Sequence, residues 1–234
     1  MNEAELDADL LRAFEARLLG VAPELRPDQD AIALRAILRA RTAASPALVL
    51  RIWRELTGEA LARGAGLRLA VWGGRQPGRA VELARQRFGA APPLQIAETP
   101  EAALAVARQT GGLAVLALEG VWWAKLLAEP RLRVFAALPE LRAGGGAGAL
   151  AVGDVPLEPS GGDETFWVTD AAGPTAAIEA ALASDGVAAE KLMEAGGLKL
   201  YSLAGYFQRD DERLARAPGR LTGVIGAAPQ PFDL

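Results

Sequence analysis

Over residues 3 to 64 the apolar positions recur every three or four residues, the period of helices that bury one face. Leu6, Leu10, Leu11, Phe14 and Leu18 form the first stripe, which Gly20 and Pro23 end. Asp28 and Asp30 then open a second helix, where carboxylates suit the positive end of the helix dipole, and Ile32, Leu34, Ile37 and Leu38 supply its apolar face. "TAASP" breaks it. Ser45 caps a third helix with Pro46 at its first position, and Leu48, Ile52, Trp53, Leu56 and Ala60 face inward.

From residue 67 to 141 short β-rich runs alternate with helical ones: "LRLAVWG", "GRAVELARQRF", "LQIAE", "PEAALAVARQT", "LAVLAL", "VWWAKLLAE" and "LRVFAALPEL". That alternation predicts a parallel or mixed sheet covered by helices. The run "AGGGAG" at 143 to 148 has no period and reads as a linker. Beyond it, from Thr165 onward, the order is strand, helix, strand, strand, helix, strand, which predicts a ferredoxin-like unit. The expected fold is therefore a mixed α+β and α/β chain of three units. They are a helical unit at 1–66, an α/β lobe at 67–142 and a ferredoxin-like unit at 149–234.

Composition narrows the chemistry. The chain has 234 residues, 51% of them hydrophobic, enough for a substantial core. A net charge of -4 argues against binding nucleic acid, whose backbone is held by surplus cations. Histidine and cysteine are both absent, which removes thiolate nucleophiles, Ser-His triads, disulfides and the common zinc sites. No cofactor is expected. The acidic N-terminus does not read as a signal or transit peptide, and no run approaches 18 apolar residues, so a cytoplasmic protein without a membrane partner is expected.

"LRPDQDAIALRAILRARTAASPALVLRIWREL" resembles the second and third helices of the all-helical chorismate mutases, and "LDADLLRAFEARL" resembles their first. The whole chain resembles a bacterial subgroup in which that unit precedes a region similar to part of a prephenate dehydratase and an ACT-like tail. "WWAKLL" and "GVIGAAPQPF" carry the later part. The resemblance implies a chorismate mutase of aromatic amino-acid biosynthesis, in the shikimate pathway. The reaction is a pericyclic isomerisation that needs preorganised cations and no nucleophile. By the same resemblance Arg17 and Asp30 take the places of a substrate-binding arginine and a glutamate that contacts the substrate hydroxyl. Gln29 stands where the family has an arginine, Ala60 and Gly64 where it has serine and glutamine, and its catalytic lysine has no counterpart. The implied activity is weak or lost. The alternative is a non-catalytic binding or regulatory protein for prephenate, chorismate or an aromatic amino acid, or a pathway scaffold. Only "QRF" at 86 to 88 resembles the dehydratase motif, so dehydratase activity is not expected.

Other residues are candidates for a small anionic metabolite. "WGGRQPGR" offers Gly73, Gly74, Arg75 and Arg79 at a helix N-terminus, an anion site or a tight strand-helix turn. Trp122 and Trp123 could stack on a flat ligand or straddle a core edge. "AGGLKLYS" at 195 to 202 resembles the amino-acid-binding turn of ACT-like modules, and reads equally as a β-turn. Whether Arg12, Arg26 or Arg51 rebuilds an anion pocket from a new position is left open by the sequence. Asp210, Asp211 and Glu212 read as a capped helix start rather than a metal set, and a homodimer is compatible with the pattern.

Overall fold

The structure, a computed structural model, describes residues 24–39, 44–141 and 146–232. The first predicted helix, with Arg12 and Arg17, lies outside them. Proline opens four helices in turn: α1 (Pro27–Arg39), α2 (Pro46–Gly64), α3 (Pro77–Phe88) and α4 (Pro100–Ala107). Its missing N–H costs nothing in a first turn, and its fixed φ suits the helix. Ser45 caps α2 by accepting from the Leu48 N–H, and Thr99 caps α4 by accepting from Ala102.

The strands are β1 (Arg68–Trp72), β2 (Leu94–Ile96), β3 (Gly112–Ala117), β4 (Arg133–Leu138), β5 (Ala149–Gly153), β6 (Asp163–Thr169), β7 (Ala189–Ala195), β8 (Leu198–Ala204) and β9 (Thr222–Pro229). Helix α5 (Thr175–Ser184) and 3-10 turns at Trp122–Leu127 and Glu212–Leu214 complete the elements of the described residues. All nine strands form one mixed sheet, in the order β2-β1-β3-β5-β4-β9-β6-β8-β7.

That sheet corrects the expected fold. No separate three-helix unit stands at the N-terminus among the described residues: α2 packs on α3, and α1 packs on β9. Nor does a ferredoxin-like unit stand apart. β9 runs parallel to β4 through the pair Val134 and Gly226, joining the C-terminal strands to the α/β sheet. At Gly226, φ is +154°, and a β-carbon would lie 2.1 Å from the Val134 carbonyl oxygen, so glycine is what lets the two strands meet. β5, from Ala149, pairs antiparallel with both β3 and β4.

Strand alternation sorts the core. Leu113 and Val115 lie under α3 with Leu69, Val71, Phe88 and Phe135, while Ala114 and Leu116 face the other side. On that other side one apolar cluster runs from Ala70 through Trp123 and Val134 to Phe166, Leu200 and Ile225. It spans both stretches read as separate units. Among the described residues no helix is long and apolar enough to cross a membrane.

Candidate functional site

Three helices and the chain just beyond β4 bring four charges together: Asp30 on α1, Arg54 on α2, Arg87 on α3, and Glu140. On α2 the buried stripe runs Leu50, Trp53, Arg54, Thr57, Gly58 and Leu61, and on α3 it runs Ala80, Leu83, Ala84, Arg87 and Phe88. Each stripe thus carries one arginine at a core position. Close approach of the helices needs Gly58, whose β-carbon would lie 1.9 Å from the Phe88 carbonyl oxygen. Arg54 forks onto Glu140, donating from Nε and Nη2 at 2.7 Å each, and its Nη1 donates to Asp30. Arg87 stands 3.2 Å from Glu140 and 3.6 Å from Asp30. Trp53 donates its indole N–H to Asp30 at 2.7 Å.

The four charges sum to zero, which is what their burial requires. Burial alone would raise the Asp30 pKa. The charges of Arg54 and Arg87, with the bonds from Arg54 and Trp53, outweigh it and lower the pKa from its ordinary 3.8 to about 2. Arg54 is held protonated in the same way: burial opposes its charge, and Asp30 and Glu140 overcome that opposition.

Glu140 and Arg87 also line a cleft of about 570 Å³ between α2, α3 and the end of β4. Its apolar wall includes Leu48, Leu50, Leu83, Leu138, Pro139 and Leu141. Most of its charges are already committed. Glu55 accepts the Ala90 N–H at 2.8 Å, and Glu82 accepts from Arg79 and Gln86. Arg85 donates to the carbonyls of Gly89, Ala90 and Pro92. Arg51, exposed on α2, is the cleft arginine with no ion pair or hydrogen bond among the described residues.

No family model matches the sequence. It is the single nine-stranded mixed sheet, with no separate three-helix unit among the described residues, that overturns the assignment to the chorismate mutases and to aromatic amino-acid biosynthesis, including the sensor and scaffold alternatives drawn from it. No curated protein matches either. Among solved structures, one described as "GqqA- a novel type of quorum quenching acylases" is similar at a TM-score of 0.46 and 19% identity, over 69% of this chain and 95% of that one.

The residues singled out from the sequence are dispersed. Asp30 is buried, with Arg54 and Trp53 on its carboxylate rather than open solvent, while Gln29 is exposed and donates to Asp28 at 3.0 Å. At the turn after β1 the chain supplies its own anion: Glu119 accepts the Arg75 N–H at 3.2 Å and its Nε at 3.3 Å. Arg79 pairs with Glu82, and Arg26 with Asp28. Trp122 and Trp123 are core residues, at most 2% exposed, with indole donors bonded to Ala117 and Gly120. Gly196 and Gly197, both at positive φ, form the two-residue turn joining β7 to β8. Asp211 caps the 3-10 turn and pairs with Arg213, and no acidic group that could hold a metal occurs among the described residues.

Arg54 and Glu140 were not singled out from the sequence, and Arg87 entered only within "QRF", not as a site residue. A readable signal existed for the two arginines, since each occupies an apolar-stripe position of its helix. For Glu140 there was none, because it reaches the two arginines only through tertiary placement.

Proposed function

We propose that the protein binds a small amphiphile, with an apolar body and one carboxylate, in the cleft between α2, α3 and the end of β4. The observation that carries this reading is the division of labour in the cleft. Its leucines and Pro139 offer an apolar wall, its interior charges are mutually satisfied, and among the described residues Arg51 is the cleft arginine left to meet an anion. A volume of about 570 Å³ lies in the usual range for small-molecule sites, about 300 to 1,000 Å³. An apolar body gains by leaving water, and a carboxylate suits the fork of a guanidinium.

Binding without chemistry is the better fit. The chain has no histidine or cysteine, and Glu55, Glu82 and Glu140 each accept hydrogen bonds already, so none is poised as a general base. Calorimetric titration with octanoate tests the reading. Saturable binding is expected, and Ala47→Trp, which places a large ring in the cleft from an exposed position, should weaken it at least about tenfold, or about 1.4 kcal/mol. Absence of saturable binding at millimolar octanoate, or unchanged binding by a folded A47W protein, would refute it.

A further inference from the structure

A second cleft, of about 280 Å³, opens where the start of β4, the strand β9, residues 157–158 and the loop 206–209 meet. It shares no lining residue with the first. Arg133 and Arg209 both line it, and neither has an ion pair among the described residues; Arg133 donates one long bond, 3.4 Å, to the Pro130 carbonyl. The buried pair Arg54 and Arg87, by contrast, shares Asp30 and Glu140. Here two arginines line one space, and neither is ion-paired among the described residues.

Other charges around the cleft do not fill that role. Glu158 lines it and is exposed, but forms no ion pair with either arginine. Asp163 accepts from the Ser160 N–H and hydroxyl, and Asp28 from Gln29. The walls are fixed. Tyr206 donates its hydroxyl to the Leu157 carbonyl at 2.7 Å, tying the two loops together, and the Phe207 N–H donates to Thr165 at 2.9 Å. Arg213 lies over the Phe207 ring, 4.3 Å from its centroid. The floor is Val224, Gly226 and Ala227.

We infer that this second cleft binds the phosphate group of a small phosphate monoester through Arg133 and Arg209. A carboxylate carries one charge and would leave one guanidinium unmatched, whereas a phosphate monoester carries about 1.5 to 2 and presents several acceptor oxygens to both forks. The volume lies just under the usual range for ligand sites, so the carbon body is short. Burial and the neighbouring Arg133 both push the Arg209 pKa down, the electrostatic cost that an arriving dianion would relieve.

Calorimetric titration of the full chain with glycerol 3-phosphate, inorganic phosphate and acetate tests the inference. Glycerol 3-phosphate should bind saturably and acetate at least about tenfold more weakly. Arg209→Gln and Arg133→Gln should each lower phosphate affinity about ten- to a hundredfold, the worth of one charge-assisted contact. Arg131→Gln, an exposed arginine paired with Asp154, should leave it unchanged. Inorganic phosphate binding as tightly as the ester would support the phosphate site and assign it to the free ion. R209Q alters an exposed loop residue, so it keeps the test sound should R133Q fail to fold. No saturable phosphate binding at millimolar concentration, or equal loss in R131Q and R209Q, would overturn the inference. A47W should leave phosphate binding intact and R209Q should leave octanoate binding intact, so the two clefts fail or stand separately.

Discussion

Asp30 shows what a single residue is worth when its partners are buried with it. Substituting Asn removes one charge from a neutral group of four and leaves two guanidiniums facing Glu140 alone. Breaking such a set by one partner typically costs about 3 to 5 kcal/mol, and D30N should lose that much in urea denaturation at pH 7. Arg75→Gln, which breaks an exposed pair with Glu119, should cost under about 1 kcal/mol. The acid limb follows from the same carboxylate, whose pKa falls from 3.8 to about 2 on folding. A lowered folded value stabilises the protein fully above pH 4, and that contribution drains away as pH falls through about 2. It amounts to about 2 kcal/mol. The stability gap between wild type and D30N should therefore narrow over that window; a gap independent of pH from 5 to 2 would contradict the linkage.

The elements meet through positions whose meaning depends on a neighbour. Gly58 is internal to α2, where replacing glycine by alanine ordinarily stabilises a helix by about 1 kcal/mol. Here the added β-carbon would strike the Phe88 carbonyl, so Gly58→Ala should destabilise by about 1 to 3 kcal/mol in thermal or chemical unfolding. A stabilised variant would show that α2 and α3 do not approach as described. The helices themselves were legible, because Pro27, Pro46, Pro77 and Pro100 start them and Ser45 and Thr99 cap two of them. So was the alternation of strand and helix from β1 to β3. What stayed hidden was the insertion of β5 between β3 and β4, and the pairing of β4 with β9, some ninety residues later in the chain. Local period carries no information about which distant strand lies alongside. The same blindness hid Glu140, which reaches Arg54 through tertiary placement, and it made Trp122 and Trp123 look available when both are core.

At the scale of the molecule, one apolar cluster runs beneath the sheet from Ala70 to Ile225, so the α/β strands and the C-terminal strands share a core. Unfolding of residues 67–229 should then be a single cooperative transition, with tryptophan fluorescence and far-ultraviolet dichroism coincident. Two resolved transitions would mean that β4 and β9 hold the halves together only loosely. Against this scaffold the first cleft brings together an apolar wall, a satisfied charge network and one arginine without a partner among the described residues. A calorimetric cycle comparing octanoate with octanol, on wild type and on Arg51→Gln, asks most directly whether that arrangement reads an amphiphilic carboxylate. R51Q should weaken octanoate about tenfold or more and leave octanol, which has no charge to lose, unchanged. Equal effects on the two ligands, or no effect on octanoate, would contradict the account.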